Sequence, residues 1–323
     1  MTAEMLHTPR HRTLDSTLPI VVPVGPDHDP RPAIASSLRA ASEASPPTRT
    51  VHILVLNGTR APAVDPGVLV KELEEFGSDF AVARIADDVG YIRAVLEGLG
   101  IARRLRTRED RVGFLDADAV LRGAAHWDVL ETALSAEPEL DAISGMVIHE
   151  QCELWETPSS QKFIQTLERA QGIVSKPYIQ GGAGGTLARR PAFEYAARMA
   201  LDLGTLLGPT LSASSLAAGR AIRATSQLPC GHTPRTTLDE WLTSVTAYEK
   251  SWRQLLAVFG RGVEKPWRDF LRTAEEQVKS DPVLAHSLSE CRALRQRVVD
   301  DVEREDFGSA DDREADLIAS IRP

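Results

Sequence analysis

Residues 111–121 read RVGFLDADAVL, an apolar run interrupted by two acidic residues. The run from Val112 to Leu115 predicts a buried β-strand, which leaves Asp116 and Asp118 just beyond its carboxyl end. Ligands of open α/β sheets bind at the edge formed by the carboxyl ends of the strands. Two carboxylates at that edge indicate a site for Mg²⁺ or Mn²⁺, and an Asp-rich turn without a ligand is the alternative interpretation.

Other apolar runs, on both sides of this stretch, predict the rest of a sheet. Strands are predicted at residues 18–25, 51–56, 80–85 and 142–148. Helical patterns alternate with them, for example at residues 67–76 and 127–136. Near-continuous apolar strands that alternate with helices are typical of a mostly parallel sheet covered on both faces. The predicted fold class is therefore α/β, with a Rossmann-like sheet.

Two common classes of nucleotide-binding protein lack support in this sequence. The turn after the first strand, VGPDHDPRP at residues 24–32, contains no GxGxxG motif, and no P-loop is present. Dehydrogenases and P-loop nucleoside triphosphatases are therefore disfavoured. The formal net charge of -9 argues against a nucleic-acid partner, which requires a basic surface to neutralise phosphates.

The two ends of the chain differ from this central region. Residues 1–17 are polar and predict a disordered leader without a secretory signal. Residues 236–323 predict a helical C-terminal region that ends in an acidic tail from Asp300. No apolar run approaches the ~20 residues that a membrane span requires. Because Cys152, Cys230 and Cys291 are widely spaced and form no CxxC motif, we expect a cytoplasmic protein without disulfides.

Several segments together resemble the GT-A glycosyltransferases, especially the large inverting family 2 type, whose members use nucleotide-diphospho-sugars. The segments are LPIVVPVG (18–25), LVLNGT (54–59), GYIRAVLEGLGIA (90–102), FLDADAVL (114–121), GGAGGTLARR (181–190) and LAAGRAIRATSQLPCGHTPR (216–235). Their order and spacing carry the resemblance over about two thirds of the chain. The resemblance implies a nucleotide-sugar-binding and catalytic domain at residues 18–235.

The resemblance also implies roles for individual residues in binding the nucleotide-sugar donor. These residues are Pro23, Val24, Gly25, Asn57, Arg93, Asp116, Gly184 and Gly185. Asp118, Asp116 and His232 are the implied ligands of Mn²⁺ or Mg²⁺. The implied donor carries UDP, GDP or dTDP, and its acceptor is unidentified. Whether the protein forms a homo-oligomer is left open.

One part of the family pattern is missing. The family places a Glu-Asp pair or a lone Asp just before a helix, and its carboxylate deprotonates the acceptor hydroxyl; the corresponding stretch of this sequence is GPTLSASSLAAG at residues 208–219. Here Ser212, Ser214 and Ser215 occupy that region, and a serine hydroxyl needs another base to activate it. The nearest carboxylates in the sequence are Asp202, Asp239 and Glu240, and the last two fit the first turn of the next helix equally well.

Three explanations account for the missing carboxylate. The first is an active transferase with a relocated base, or with an acceptor that needs none, such as a phosphate or carboxylate oxygen. The second is a retaining enzyme in which the leaving-group phosphate assists the incoming hydroxyl. The third is a binding or scaffolding protein that kept the fold and lost the reaction. A glycosyltransferase is the favoured prediction, since the Asp-x-Asp motif is intact.

Overall fold

The computed structural model describes residues 3–9, 14–44, 47–58, 65–75, 79–149, 181–232, 238–260 and residue 263. In this part of the chain, nine strands form one sheet. The strands are β1 (Glu4–His7), β2 (Leu18–Val24), β3 (Thr50–Asn57), β4 (Asp79–Ile85), β5 (Arg111–Phe114), β6 (Ala119–Leu121), β7 (Leu140–His149), β8 (Thr186–Arg189) and β9 (Ala221–His232).

The sheet has the order β1-β4-β3-β2-β5-β8-β7-β9-β6. Strands β4, β3, β2 and β5 are parallel neighbours, and β7 pairs with β9 in parallel. Strand β8 runs antiparallel to both of its neighbours, and the short strands β1 and β6 also pair antiparallel. The predicted α/β class with a large, mostly parallel sheet is confirmed, although the sheet is mixed.

Helices cover both faces of this sheet. They are α1 (Arg31–Ser42), α2 (Pro66–Glu75), α3 (Tyr91–Arg104), α4 (His126–Ala136), α5 (Arg190–Leu203), α6 (Leu207–Ala217) and α7 (Leu238–Phe259), with a 3₁₀ turn at Gly181–Gly184. Side chains of β2 alternate between the faces: Ile20 and Val22 pack with α1, α2 and α4, while Val21 packs with α3, α5 and α6. No described helix combines the length and apolar character needed to cross a membrane.

The described residues add detail to the predicted ends of the chain. Within the predicted disordered leader, Glu4–His7 form β1, where the His7 ring stacks on Phe80 with ring centroids 4.3 Å apart. The leader prediction is therefore wrong for these residues, because a neighbouring strand supplies the partners that a polar segment lacks by itself. Helix α7 lies in the predicted helical C-terminal region, and the predicted acidic tail lies outside the described residues.

The order of the strands fixes where a ligand site can form. The chain builds β2, β3 and β4 outward in one direction and then returns to place β5 on the other side of β2. In open α/β sheets, such a reversal opens a crevice beyond the carboxyl ends of the two strands at the switch. The segments that leave β2 and β5 at that crevice begin at Gly25 and Leu115.

Candidate functional site

Asp116 and Asp118 lie in the short segment between β5 and β6, at this crevice. Two backbone hydrogen bonds fix the segment: Leu115 N donates to Val21 O at 3.1 Å, and Asp116 N donates to Gly182 O at 3.1 Å. Val21 lies in the central strand β2 and Gly182 in the 3₁₀ turn, so two separate parts of the chain hold the backbone that carries the carboxylates.

His232 reaches the same place from the far end of the described sheet. Strands β6 and β9 pair antiparallel, with Ala119 opposite His232, so the imidazole comes to lie beside Asp118. His232 Nε2 is 3.4 Å from Asp118 Oδ2. One potential ligand atom from each of Asp116, Asp118 and His232 lies within 4.8 Å of the others, and all three residues are half-buried. The structure thus brings together the three residues predicted as metal ligands.

The chemistry of these three groups, called the edge cluster below, suits a divalent cation. Carboxylate oxygens are the preferred ligands of Mg²⁺ and Mn²⁺, and imidazole is also a common ligand of transition metals. The partial exposure of the cluster leaves room for further ligands from water or a substrate. An ion held in this way would face the crevice at the edge of the sheet.

The environment of Asp116 disfavours its charged form. Desolvation raises the pKa of the Asp116 carboxyl to about 6, and the Asp118 charge acts in the same direction. The Tyr91 hydroxyl donates to Asp116 Oδ1, and this hydrogen bond and the nearby His232 and His28 oppose the rise. A cation beside these carboxylates would favour the ionised form further.

A cleft of about 580 Å³ adjoins Asp116 on one side. Its walls come from the start of α3, the segment from the end of α5 into α6, and the middle of α7. Among the described residues that line it, Arg93 is the one basic residue and Asp116 the one acidic residue. Since Asp116 belongs to both the cleft and the edge cluster, a molecule in the cleft would reach the candidate metal site.

The glycine-rich residues 181–185 pack closely against the protein next to this site. A Cβ atom on Gly182 would lie 2.4 Å from Asp116 Oδ1, and one on Gly184 would lie 2.6 Å from Gly145 O. Gly185 has φ +57°, and a Cβ there would lie 2.8 Å from His126 Nε2. The close approach expected of this segment is thus made to the protein itself; donor binding by Gly184 and Gly185 stays a prediction.

The residues predicted to seat the nucleoside lie at the ends of β2 and β3. Pro23 and Val24 are buried in β2, and Gly25 follows it. Asn57 uses its amide internally: Nδ2 donates to Asp88 Oδ1 at 2.7 Å, and Oδ1 accepts from Val89 N at 3.0 Å. Asn57 therefore holds the loop that leads into α3, and its predicted contact with a nucleoside is untested.

No carboxylate in the described structure takes the position of the missing base. Asp202 is exposed on α5 and does not line the cleft. The side chains of Asp239 and Glu240 lie outside the described part of the chain. Ser212, Ser214 and Ser215 are buried in α6.

The hydroxyls of two of these serines serve α6 itself. Ser212 donates to Gly208 O at 2.9 Å, and Ser214 donates to Leu211 O at 3.2 Å. Hydrogen bonds of this kind to a preceding turn are a usual way for a buried serine to satisfy its hydroxyl. These two side chains therefore have structural partners and are not placed to act on an acceptor in the cleft.

Sequence reasoning missed two residues of the site. Tyr91 is the first residue of α3, and only the tertiary structure shows that its hydroxyl meets Asp116. His28 lies in the loop after β2, and its charge lowers the pKa of Asp116. No sequence pattern indicated Tyr91 as a site residue. His28, a histidine in the loop after β2, could have been noted as a candidate site residue.

A comparison with protein-family models found no match, and a comparison with curated protein sequences also found none.

Proposed function

We propose that this protein is a metal-dependent glycosyltransferase of the GT-A type, which moves a sugar from a nucleotide-diphospho-sugar to an acceptor. One observation carries the proposal. Asp116, Asp118 and His232 place three potential ligand atoms within 4.8 Å of one another, at the crevice where the strand order reverses. A divalent cation held by carboxylates commonly completes its coordination with phosphate oxygens of a substrate.

The three residues of the edge cluster would hold the ion against the diphosphate of the donor. A bound Mn²⁺ or Mg²⁺ supplies charge stabilisation for the diphosphate as the bond to the sugar breaks. Such stabilisation accelerates the reaction because the leaving group gains negative charge in the transition state. The Tyr91 hydroxyl would fix Asp116 by occupying Oδ1, which leaves Oδ2 of this carboxylate for the ion.

The other site residues would divide between donor and acceptor. Pro23, Val24 and Gly25, together with Asn57, would bind the nucleoside beside β2 and β3, while Gly184 and Gly185 would lie close to the sugar. The outcome at the anomeric carbon, inversion or retention, depends on how the acceptor oxygen is presented.

A thermal-shift experiment tests the donor site. We expect one of the UDP-, GDP- or dTDP-sugars to raise the melting temperature only when Mn²⁺ is present, since a ligand that binds the native state stabilises it. Asp118→Asn should abolish this shift. Asp15→Asn removes the same charge at an exposed turn and should retain it. If no nucleotide-sugar gives a metal-dependent shift in the parent protein, the proposal is wrong.

A second candidate function is a binding protein that retains the donor site without catalysis. The observation in its favour is that the described residues lining the cleft offer no carboxylate besides Asp116 to act as a base. Turnover of the bound sugar separates the two candidates. Release of the nucleoside diphosphate, measured with a coupled assay, supports the enzyme; saturable binding without release supports the binding protein.

A further inference from the structure

The cleft beside Asp116 is separate from the predicted nucleoside seat. Of the residues predicted to bind the donor, Arg93 and Asp116 line the cleft, whereas Pro23, Val24, Gly25 and Asn57 do not. Asp116 therefore adjoins two regions. One is the predicted nucleoside-binding region at the ends of β2 and β3, and the other is the cleft between α3, α6 and α7. A transfer reaction needs two such regions, because donor and acceptor must meet at the reacting carbon.

The described lining of the cleft combines apolar walls with one basic residue, Arg93, and one acidic residue, Asp116. Apolar wall residues include Val89, Ile92, Leu201, Leu206, Pro209 and Ala247. Arg93 is exposed on the first turn of α3, and the structure gives it no ion pair with any described residue. An arginine that has no counter-ion among the described residues, at the rim of an apolar cleft, suits a ligand with an apolar body and an anionic group, since guanidinium groups bind carboxylates and phosphates well.

We propose that this cleft binds an amphipathic acceptor whose carboxylate or phosphate group pairs with Arg93 and supplies the attacking oxygen. The proposal rests on the proposed glycosyltransferase function, and it moves Arg93 from the donor to the acceptor. The acceptor has an apolar body of a size to fit about 580 Å³ and an anionic oxygen that pairs with Arg93.

An anionic nucleophile also accounts for the missing base. The oxygen of the acceptor forms a bond to the anomeric carbon, and the bond from that carbon to the diphosphate oxygen breaks. The electron pair of the broken bond leaves with the diphosphate, so the negative charge passes from acceptor to leaving group. Because a carboxylate or phosphate oxygen carries no proton that must be removed, the reaction needs no general base. The product is a glycosyl ester or a glycosyl phosphate.

Binding to the cleft can be tested without metal or donor. The probes are phenylacetate, phenyl phosphate and 2-phenylethanol, which share an aromatic body and differ in the polar group. Isothermal titration should show that at least one anionic probe binds at least tenfold more tightly than the alcohol. Arg93→Gln should weaken that binding at least tenfold, because a charge-assisted hydrogen bond is lost. Arg198→Gln, an exposed arginine on α5 outside the cleft lining, should leave it unchanged.

A second variant tests whether the probe lies in the cleft. Thr243 is exposed and lines the cleft from α7, so Thr243→Trp fills space without changing charge. It should weaken the binding of phenylacetate or phenyl phosphate at least tenfold in a protein with parental melting temperature. Equal binding of the alcohol, no binding of either anion, or no effect of both Arg93→Gln and Thr243→Trp would overturn the proposal.

The transfer step is tested with the donor identified by thermal shift. Mass spectrometry should detect a sugar ester of phenylacetate or a sugar adduct of phenyl phosphate, and which of the two forms tells carboxylate from phosphate. Transfer to 2-phenylethanol alone would overturn the anionic nucleophile. Metal-dependent donor binding without anion binding in the cleft means that only the present inference fails. Anion binding in the cleft without any donor binding means that the proposed glycosyltransferase function fails.

Discussion

Charged side chains are arranged in opposite ways in two regions of this molecule. In the first region, Arg190 is 3% exposed and donates to Glu194 Oε1 at 3.0 Å, to Arg108 O at 3.1 Å and to Leu99 O at 3.2 Å. In the second, the edge cluster, two carboxylates lie together beside one imidazole. Arg190 has a partner on each of its three nitrogens, whereas the edge cluster gathers groups of like charge.

The difference separates side chains that hold the fold together from side chains that we propose as ligands of an ion. A buried arginine with a partner on each of its nitrogens links α5 to α3 and to the segment after α3, and its loss would leave Glu194 without that partner. Two neighbouring carboxylates repel each other and contribute nothing comparable to folding. We therefore expect substitutions in the two regions to separate stability from ligand binding.

Replacing Arg190 gives the largest expected effect on stability. Arg190→Met should lower the free energy of unfolding by roughly 3–5 kcal/mol, the usual loss when one partner of a buried ion pair is removed. Urea unfolding followed by circular dichroism measures the change. Arg198→Met, on the same helix but exposed, is the control and should stay within about 0.5 kcal/mol of the parent. A loss below about 1 kcal/mol for Arg190→Met would show that water or neighbours replace its contacts.

Replacing Asp118 should act on binding and leave stability unchanged. Asp118→Asn should weaken the binding of Mn²⁺ by about a hundredfold, or about 2.7 kcal/mol, because a charged ligand is lost. In the absence of metal, its free energy of unfolding should equal that of the parent or exceed it slightly, since repulsion with Asp116 is relieved. Calorimetric titration with Mn²⁺ and urea unfolding without it provide the two measurements. A variant that unfolds more easily and binds Mn²⁺ normally would contradict the assigned role.

Two buried histidines predict how stability depends on pH. Burial lowers the pKa of His52 to about 4 and that of His126 to about 4. In the unfolded chain each of these histidines binds a proton near pH 6.5, whereas in the native state each stays neutral down to about pH 4. The free energy of unfolding is therefore highest above about pH 6.5, with respect to these two groups, and falls as the pH falls from about 6.5 to about 4. Each histidine contributes roughly 3 kcal/mol to this decline.

The variant His52→Gln isolates one of these contributions. Glutamine can retain the hydrogen bond that His52 Nε2 makes with Ser37 Oγ at 2.7 Å, and it does not titrate. Between pH 6.5 and 4.5, the unfolding free energy of the variant should fall less steeply with decreasing pH than that of the parent. The two slopes of unfolding free energy against pH should differ by the equivalent of about one bound proton per molecule. Unfolding in urea at several pH values gives both slopes, and carboxylates cancel because both proteins contain them. Identical slopes would mean that His52 is protonated in the native state.

The smallest expected effect concerns Tyr91. Tyr91→Phe removes the hydrogen bond to Asp116 Oδ1 and leaves the ring beside Phe114. We expect the affinity for Mn²⁺ to fall about tenfold or less, as for other residues that orient a metal ligand.

Asp202→Asn, at a carboxylate outside the cleft lining, should change neither metal binding nor turnover. A full loss of turnover in Asp202→Asn would identify it as the missing base.

The sequence predicted those parts of the structure that depend on local pattern. The apolar runs predicted strands at residues 51–56 and 80–85, and the structure has Thr50–Asn57 and Asp79–Ile85, because buried parallel strands are apolar along their whole length. Glu4–His7 escaped prediction because this strand has only four residues, two of them polar, and depends on pairing with β4. The edge cluster was predicted through a family resemblance, since no local pattern places His232 beside Asp118.

Roles that depend on tertiary contacts could not be predicted in the same way. Asn57 was expected to contact a nucleoside, yet its amide is bonded to Asp88 and Val89, which lie 31 and 32 residues away in the sequence. Arg189 and Arg190 end GGAGGTLARR, one of the segments that carry the family resemblance, and no role was predicted for either residue. Arg189 donates to Leu140 O at 2.8 Å and to Leu134 O at 3.1 Å.

The pairing of β6 with β9 has a further consequence for how the protein would respond to an ion. Asp118 and His232 lie 114 residues apart in the sequence (232 minus 118), and they meet only when β9 is in register with β6. An ion held by both residues would link the edge strand β6 to β9 and oppose the separation of these two strands. Binding of the cation would then stabilise the pairing of β6 with β9, so the concentration of the metal would affect local unfolding at this edge of the sheet.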